Sequence, residues 1–266
     1  VPAAAESWEY NEDATQLTFK IRPDLKYSDG SPLTAENFRY AVERACDPNT
    51  AGDYQYILFD IVGCQEFANL YAESDEATPV PLDDLAAYEE ARAAVGVRDL
   101  DEQTLEITLA HAAPYFPAIA SMPIVYPVKQ EAIAEGGEGW WQEPARQIGN
   151  GPFRIVRMEP DQLVVFAPNE RYWGGEPRID RLEFVYVADG SVALEAYQAG
   201  DLDIIAVDAS LLEFIGDAPA LSQELVRVQA AATSYLSVNL IQEPFADRKV
   251  REAFAYAFDR ETYCAL

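Results

Sequence analysis

Apolar and polar residues alternate in two stretches of the first half of the chain, residues 15–21 and 104–109. A period of two is typical of a strand that is buried on one face, so each stretch is predicted to be a strand. Thr34 has the character of a helix N-cap, and apolar residues three or four apart predict a helix from there to about Arg44. A second helix is predicted over residues 81–94, because a proline and two acidic residues open it.

Strand patterns come at shorter intervals after Gly149, which places a domain boundary near residues 145–150. The strands predicted in this part are residues 153–157, 163–167, 182–187, 202–205, 225–229 and 235–240. Helices are predicted over residues 192–199, where a glycine supplies the usual stop, from a cap at Ser210, and from a cap at Asp247 onward. Strands that alternate with helices indicate a mixed α/β fold.

Two further stretches favour neither a helix nor a central strand. Residues 112–127 are apolar but contain four prolines, which interrupt helices and strand ladders alike. They are predicted to be packed irregular chain. Residues 135–141 are rich in glycine, contain two tryptophans and are predicted to form a loop.

The composition is strongly acidic: 46 Asp and Glu residues stand against 19 Lys and Arg residues, a formal net charge of −27. Such a surface repels phosphate backbones and anionic lipid headgroups, so no nucleic acid partner is expected. The 49% of apolar residues is ordinary for a folded chain, and no apolar run reaches the ~18 residues of a membrane-spanning helix. The acidic residues are interpreted first as a source of solubility.

Cys46 and Cys64 are 18 residues apart across a turn-rich segment, and the third cysteine, Cys264, lies near the end of the sequence. Two interpretations of the first pair remain open. Outside the cytoplasm the pair would form a disulfide that stabilises the fold by about 3 kcal/mol. Otherwise both residues would be buried free thiols.

The sequence lacks the patterns of common catalytic and metal sites. Its single histidine, His111, makes a histidine-based triad or a multi-histidine metal site unexpected. Asp201 and Asp203 are spaced as in a cation-binding loop, but Ala206 stands where an EF-hand needs glycine. No cofactor and no metal is therefore predicted. A hydrolase built on two carboxylates remains an alternative, because sequence does not give the separation of two side chains.

Tyrosines stand at several places where a ligand could reach them. Tyr54 and Tyr56 lie in a turn-rich stretch, and Tyr235 opens a predicted strand. Tyrosines in loops and at strand ends suit a cleft that holds a polar ligand with apolar parts. The alternative is packing at the boundary of the core, which is common for tyrosine.

Six segments resemble those of one protein family. They are residues 1–9 (VPAAAESWE), 18–38 (ending KYSDGSPLTAENF), 149–153 (GNGPF), 169–175 (NERYWGG), 198–203 (QAGDLD) and 244–261 (beginning PFADRKVR). In this order they make the chain similar to the family 5 extracellular solute-binding proteins, the peptide-, dipeptide- and nickel-binding proteins of ABC importers. Residues 47–51 and 96–106 most resemble the oligopeptide-binding branch.

The resemblance implies a fold class, an α/β (mixed α+β) chain made of incomplete lobes of the periplasmic-binding-protein-like type II fold, cluster C. It implies that residues 1–148 form a small lobe like the family's second domain. Residues 149–236 would be the middle segment of the first, hinge-bearing domain, and residues 237–266 the truncated start of the third. Both ends of the sequence look cut, so the chain is expected to be the N-terminal half of a longer protein.

The resemblance also implies a function. The chain is expected to be the substrate-binding component of an ABC transporter that captures extracytoplasmic oligopeptides for import, and not an enzyme. The expected partners are a peptide ligand and the permease subunits. The full-length protein is expected to be a monomer, periplasmic or lipid-anchored at the cell surface. Carried over by position, the ligand-binding residues are Tyr54, Val207, Asp208, Thr233, Ser234 and Tyr235.

Three alternatives remain open. In the first, the same fold binds a non-peptide solute such as a nickel complex, heme or a sugar. In the second, the chain is a hydrolase that uses a pair of carboxylates. In the third, it is a sensor that works without a transporter. Turnover lost on a single Asp or Glu change would identify the hydrolase. Neighbouring permease and ATPase genes would favour transport over sensing.

Overall fold

The computed structural model describes residues 3–50, 52–70, 85–228 and 235–265. The chain divides into two compact units, Val1–Tyr186 and Val187–Leu266. This division follows internal packing. The assignment of residues 1–148, 149–236 and 237–266 to three domains remains a prediction.

The first unit opens with a four-stranded antiparallel sheet of strand order β1-β2-β4-β3. Its strands are β1 (Ala5–Tyr10), β2 (Gln16–Ile21), β3 (Val97–Asp101) and β4 (Thr104–Thr108). Strands β2 and β4 confirm the two alternating stretches. Strands β1 and β3 were not predicted, because most of their side chains are exposed and their sequences show no apolar alternation.

Helix α1, Ala35–Cys46, packs against this sheet and buries Ala41, Val42 and Ala45. The prediction of a helix after Thr34 is confirmed, and the N–H of Thr34 donates to Asn37 Oδ1 at 2.8 Å. The helix runs two residues beyond the predicted end. It stops before the Asp-Pro pair, where proline disfavours helical backbone in the preceding residue.

Four further helices belong to the first unit: α2 (Cys64–Ala68), α3 (Leu85–Ala93), α4 (Phe116–Ile119) and α5 (Gln130–Gly136). Helix α3 confirms the described part of the helix predicted over residues 81–94. Residues 112–127 are irregular apart from α4 and a 3-10 turn at Pro123–Val125, as predicted. The loop predicted at 135–141 is wrong in part, because it holds the end of α5 and a 3-10 helix, Gly137–Gln142.

A second antiparallel sheet completes the first unit, with strand order β5-β6-β7. Its strands are β5 (Phe153–Glu159), β6 (Leu163–Pro168) and β7 (Leu182–Val185), which confirms the three predicted strands. Backbone and side-chain contacts join it to the turn after β2. The N–H of Ser28 donates to the Gly149 carbonyl at 2.8 Å, and Arg171 donates to the Ser28 carbonyl at 3.1 Å.

The second unit contains helices α6 (Gly190–Ala199), α7 (Leu212–Asp217), α8 (Pro219–Glu224), α9 (Arg248–Ala257) and α10 (Arg260–Ala265). Helix α6 was predicted. Gly200 ends it with a positive φ of 82°, a conformation that glycine adopts at little cost. The predicted cap at Asp247 is confirmed, since its Oδ1 accepts the Lys249 N–H at 2.8 Å. Ser210 does not cap α7, because it lies in a preceding 3-10 turn.

The strands predicted at 202–205, 225–229 and 235–240 are wrong where the structure describes them. Residues 202–205, 225–228 and 235–240 have no strand assignment. A β-strand exists only when a neighbour supplies its hydrogen bonds, and no strand pairs with these segments among the described residues. In the described part of the chain, no helix is long and apolar enough to cross a membrane.

Candidate functional site

Tyr54 lies at the start of a 3-10 helix, Gln55–Leu58, and Tyr56 lies within it. The two side chains are 60% and 62% exposed. Their ring centroids are 6.4 Å apart and the ring planes are tilted by 36°. We call these two residues and Gln55 the tyrosine turn. Two large aromatic faces open to solvent form a surface that an apolar part of a ligand can cover.

The tyrosine turn is tied to the end of α1 through Asp47. The Gln55 side-chain amide donates to the Asp47 carbonyl oxygen at 2.8 Å, and the Tyr88 hydroxyl donates to Asp47 Oδ2 at 2.7 Å. Burial raises the pKa of Tyr88, and the hydrogen bond to the Asp47 carboxylate raises it further. Cys46 and Cys64, both fully buried, form a disulfide at the base of this segment.

The segment that follows the tyrosine turn is held by backbone and side-chain contacts. Ile61 forms an isolated bridge with Leu109, and the Asp60 carbonyl accepts the Ala110 N–H at 2.8 Å. The Tyr115 hydroxyl donates to Asp60 Oδ2 at 2.8 Å, and this hydrogen bond raises the pKa of Tyr115. His111, which is exposed, lies 3.4 Å from Asp60 Oδ1. The chain that follows the tyrosine turn is therefore fixed to the rest of the first unit at Asp60 and Ile61.

The second unit contains an apolar groove of about 720 Å³. Val207 lines the groove, whereas Asp208 follows it and is exposed. The other apolar lining residues include Leu194, Ile204, Leu212, Ile215 and Val226. The charged residues of the lining are Asp203, Glu224 and Arg227. The Tyr197 hydroxyl donates to Glu224 Oε2 at 2.6 Å, which raises the pKa of Tyr197.

The remaining predicted residues of the second unit lie after this groove in the chain. Tyr235 is strongly exposed and has no helix or strand assignment. Thr233 and Ser234 lie outside the described residues. Of the predicted residues that the structure describes, Val207, Asp208 and Tyr235 therefore lie in the second unit and Tyr54 lies in the first. The ligand-binding roles of all six residues remain predictions.

A second cavity, of about 580 Å³, lies within the first unit and has a polar lining. Lys129 Nζ forms an ion pair with Asp29 and lies 3.1 Å from Ser31 Oγ. Partial burial acts to raise the pKa of Asp29, but the hydrogen bonds from Lys129 and Ser31 outweigh it and lower the pKa to about 2. On the opposite lining, Arg146 pairs with Glu135 and Glu143. These charges are already paired, so the cavity offers little binding energy to an ion.

Among the described residues, no group of three or more His, Cys, Asp and Glu side chains is placed to hold a metal ion. The expectation of no metal stays a prediction. Asp201 and Asp203, the carboxylates singled out by spacing, are both exposed. Sequence reasoning missed Asp47 and Tyr88 as anchors of the tyrosine turn, since 41 residues separate them and no local pattern marks the pair.

The mixed α/β first unit with its exposed tyrosine turn, and the open apolar groove of the second unit, are features typical of the class of ligand-binding proteins. The chain belongs to the bacterial extracellular solute-binding proteins, family 5, whose middle-region model matches residues 1–265. It is 29% identical over 262 residues to the dipeptide-binding protein DppE of Bacillus subtilis, a match that covers 98% of this chain and 44% of DppE. It is 30% identical to the periplasmic oligopeptide-binding protein OppA of Escherichia coli, covering 98% and 45%.

A solved structure supports the same assignment. OppA of Burkholderia pseudomallei superimposes with a TM-score of 0.83 at 28% identity, covering 98% of this chain and 48% of that one. The family and the mixed α/β periplasmic-binding-protein fold that the six segments implied are thereby confirmed. The chain spans a little under half the length of these relatives.

Proposed function

We propose that the chain is part of the substrate-binding component of an ABC importer that captures oligopeptides outside the cytoplasm. The observation that carries this proposal is the family match over residues 1–265, with relatives named as dipeptide- and oligopeptide-binding proteins. The relatives are about twice as long, so the complete binding protein is proposed to contain more than this chain. The permease subunits of the importer are the proposed protein partners.

The mechanism follows from what all peptides share. A peptide backbone presents N–H and C=O groups in a fixed order, so extended chain beside the ligand satisfies them whatever the side chains are. The segments near Val207 and Tyr235, which have no helix or strand assignment where described, are proposed for this role, while Tyr54 offers an aromatic face and a hydroxyl group. Two lobes that close on the peptide would make contacts that exist only in the closed state, and the importer would recognise that state.

Two observations, a disulfide and the family match, support a location outside the cytoplasm. The buried Cys46–Cys64 disulfide suits an oxidising compartment, and the matched family is one of extracellular proteins.

The strongly acidic composition, with a formal net charge of −27, disfavours binding to nucleic acid. We propose that the full-length protein is a monomer without a cofactor, held at the cell surface by a lipid anchor or free in the periplasm. It is proposed to bind its solute without chemical turnover.

The proposal is tested by binding to the full-length protein. A panel of tripeptides Ala-Xaa-Ala, with each amino acid in turn at the centre, is screened by thermal shift and then by calorimetry. A bound peptide at a hundred times its dissociation constant stabilises the protein by about 2.7 kcal/mol, which gives a measurable rise in Tm. Sugars, heme and a nickel complex serve as the comparison ligands. A rise with one of these and with no peptide would overturn the peptide assignment.

Residues 1–266 alone are expected to bind the same tripeptides more weakly than the full-length protein. The reason is that a clamp with part of its ligand contacts lacks part of its binding energy. The measurement is the ratio of the two dissociation constants for the tightest member of the panel. Equal affinities would show that the ligand needs nothing beyond this chain.

A further inference from the structure

We infer that the Cys46–Cys64 disulfide and the hydrogen-bonded Asp47 are positioning groups that hold the tyrosine turn in place for an apolar or aromatic side chain of the peptide ligand, with Tyr56 as a second contact beside Tyr54. The inference rests on the proposed function, because it assigns the tyrosine turn to peptide contact. The sequence allowed this disulfide, but neither the sequence nor the family match indicated that the disulfide and Asp47 position the tyrosine turn.

The disulfide joins two elements of the core. Cys46 is the last residue of α1 and Cys64 is the first residue of α2. Both side chains are fully buried among the residues that pack on the first sheet. In the chain between them, residues 47–63, the tyrosine turn precedes Leu58 and Ile61, which belong to the core. The tyrosine turn lies near the middle of this segment, so the covalent bond closes the segment at its base.

Asp47 links the middle of the same segment to that base. Its carbonyl oxygen accepts the Thr50 N–H at 3.0 Å and the Gln55 side-chain amide at 2.8 Å. Its carboxylate accepts the Asn49 N–H at 2.8 Å and the Tyr88 hydroxyl at 2.7 Å. Gln55 lies between the two tyrosines in sequence. Its hydrogen bond to Asp47 therefore restrains the backbone that carries both rings.

The rings held in this way are exposed in the part of the chain that the structure describes. The tilted pair of tyrosine rings, with centroids 6.4 Å apart, forms a continuous aromatic surface that one ligand side chain can contact. Tyrosine has few rotatable bonds, so its contact costs little conformational entropy on binding. These properties favour an apolar or aromatic ligand side chain over a small polar one.

Rigid positioning increases affinity because the ligand then does not have to order the turn. In a chain without the disulfide, residues 47–63 would sample more conformations, and that entropy would be lost on each binding event. The anchors thus affect affinity through the tyrosines and not through contacts of their own. This distinction makes the inference testable by a double-mutant cycle.

The cycle uses the full-length protein and the tightest-binding member of the Ala-Xaa-Ala panel. The variants are Cys46→Ala with Cys64→Ala, Tyr54→Ala with Tyr56→Ala, and the four changes together, each measured by calorimetry. Loss of the disulfide is expected to weaken binding about 10-fold when the tyrosines are present and less than about 2-fold when they are absent. Tyr186→Ala, a change of an exposed tyrosine outside the turn, is the control and is expected to leave affinity unchanged.

A matched pair of variants keeps the test valid if the chain without the disulfide fails to fold. Gln55→Ala removes the hydrogen bond to Asp47 and leaves the disulfide intact, and it is expected to weaken binding about 3-fold. Gln65→Ala, on the exposed face of α2, is its control and should bind as the parent does.

The outcomes separate the inference from the proposed function. Equal losses of affinity in both tyrosine backgrounds would show that the disulfide only supports the fold, and would overturn the inference. No loss in either background would overturn it as well. If the parent protein binds no panel peptide but binds another solute, the proposed function fails, and this inference fails with it. Peptide binding that is insensitive to Tyr54 and Tyr56 would sink the inference alone.

Discussion

The two units of the chain differ in how far their apolar residues are buried. In the first unit, the core runs continuously from the first sheet through α1 and α2 to the 113–125 segment. In the described part of the second unit, the fully buried apolar residues are Leu194 and Ile215. Ile204, Val226 and Val228 there are 89%, 80% and 82% exposed, although their sequences are as apolar as those of core strands.

The comparison shows that an apolar pattern becomes a strand only where a neighbour is available. Strand β2 has β1 on one side and β4 on the other, so its alternating residues are hydrogen-bonded and buried. Residues 225–228 carry a similar pattern, but among the described residues no strand pairs with them and they have no strand assignment. Their apolar faces form the groove of the second unit. The same type of sequence therefore gives a core in one unit and an open apolar groove in the other.

The largest expected difference between the units is the effect of deleting an aromatic ring. Phe116 is 0% exposed in the first unit and Phe214 is 56% exposed in the second. Phe116→Ala is expected to lower the free energy of unfolding by about 4 kcal/mol, and Phe214→Ala by less than about 1 kcal/mol, because only the first leaves a buried cavity. Urea unfolding of both variants measures this. Similar losses would show that the second unit also has a packed core around Phe214.

A smaller difference is expected at two glycines that share a left-handed backbone. Gly63 has a φ of 75°, and a Cβ there would lie 2.4 Å from the Ala94 carbonyl oxygen. Gly200 has a φ of 82°, and a Cβ there would meet nothing within 4 Å. Gly63→Ala is therefore expected to cost about 3 kcal/mol, against about 1 kcal/mol for Gly200→Ala. Thermal unfolding measures both effects. Equal shifts in Tm would show that the contact between a Cβ at residue 63 and the Ala94 carbonyl oxygen adds nothing to the loss of stability.

The smallest expected effect concerns acid. The pKa of Asp29 is about 2, below its ordinary value of 3.8, so the folded state holds the charged form more strongly than the unfolded state does. This stabilisation is present above pH ~4 and is lost as the pH falls towards ~2. It amounts to about 1 kcal/mol, since a third of the Asp29 side chain is exposed and solvent screens the pair with Lys129.

The measurement is the free energy of unfolding of the parent and of Asp29→Asn between pH 2 and pH 5. The variant is expected to lose less stability across that interval. The control lies in the second unit: hydrogen bonds from Thr262 lower the pKa of the exposed Asp259, and Asp259→Asn is expected to change the pH dependence less. An identical pH profile for Asp29→Asn and the parent would show that the Lys129 pair does not stabilise the fold.

The sequence by itself determined the elements whose signals are local. The cap at Thr34, the stop at Gly200 and the alternation of β2, β4 and the second sheet each lie within one element, so a short window of residues contains them. The family was also predictable, because six short segments keep their order along the whole chain. Tyr54 was singled out by its place in a turn and by resemblance.

Only the tertiary structure decided which patterns became strands, which cysteines were bonded and what anchors the tyrosine turn. The Asp47–Tyr88 hydrogen bond joins residues 41 apart, and strand β1 owes its existence to pairing with β2. Such contacts depend on which distant segments of the chain pack together, and the spacing of residues along the sequence does not indicate this. The physical reason is that helix periods and caps arise from neighbours along the chain, whereas ladders, disulfides and burial arise from neighbours in space.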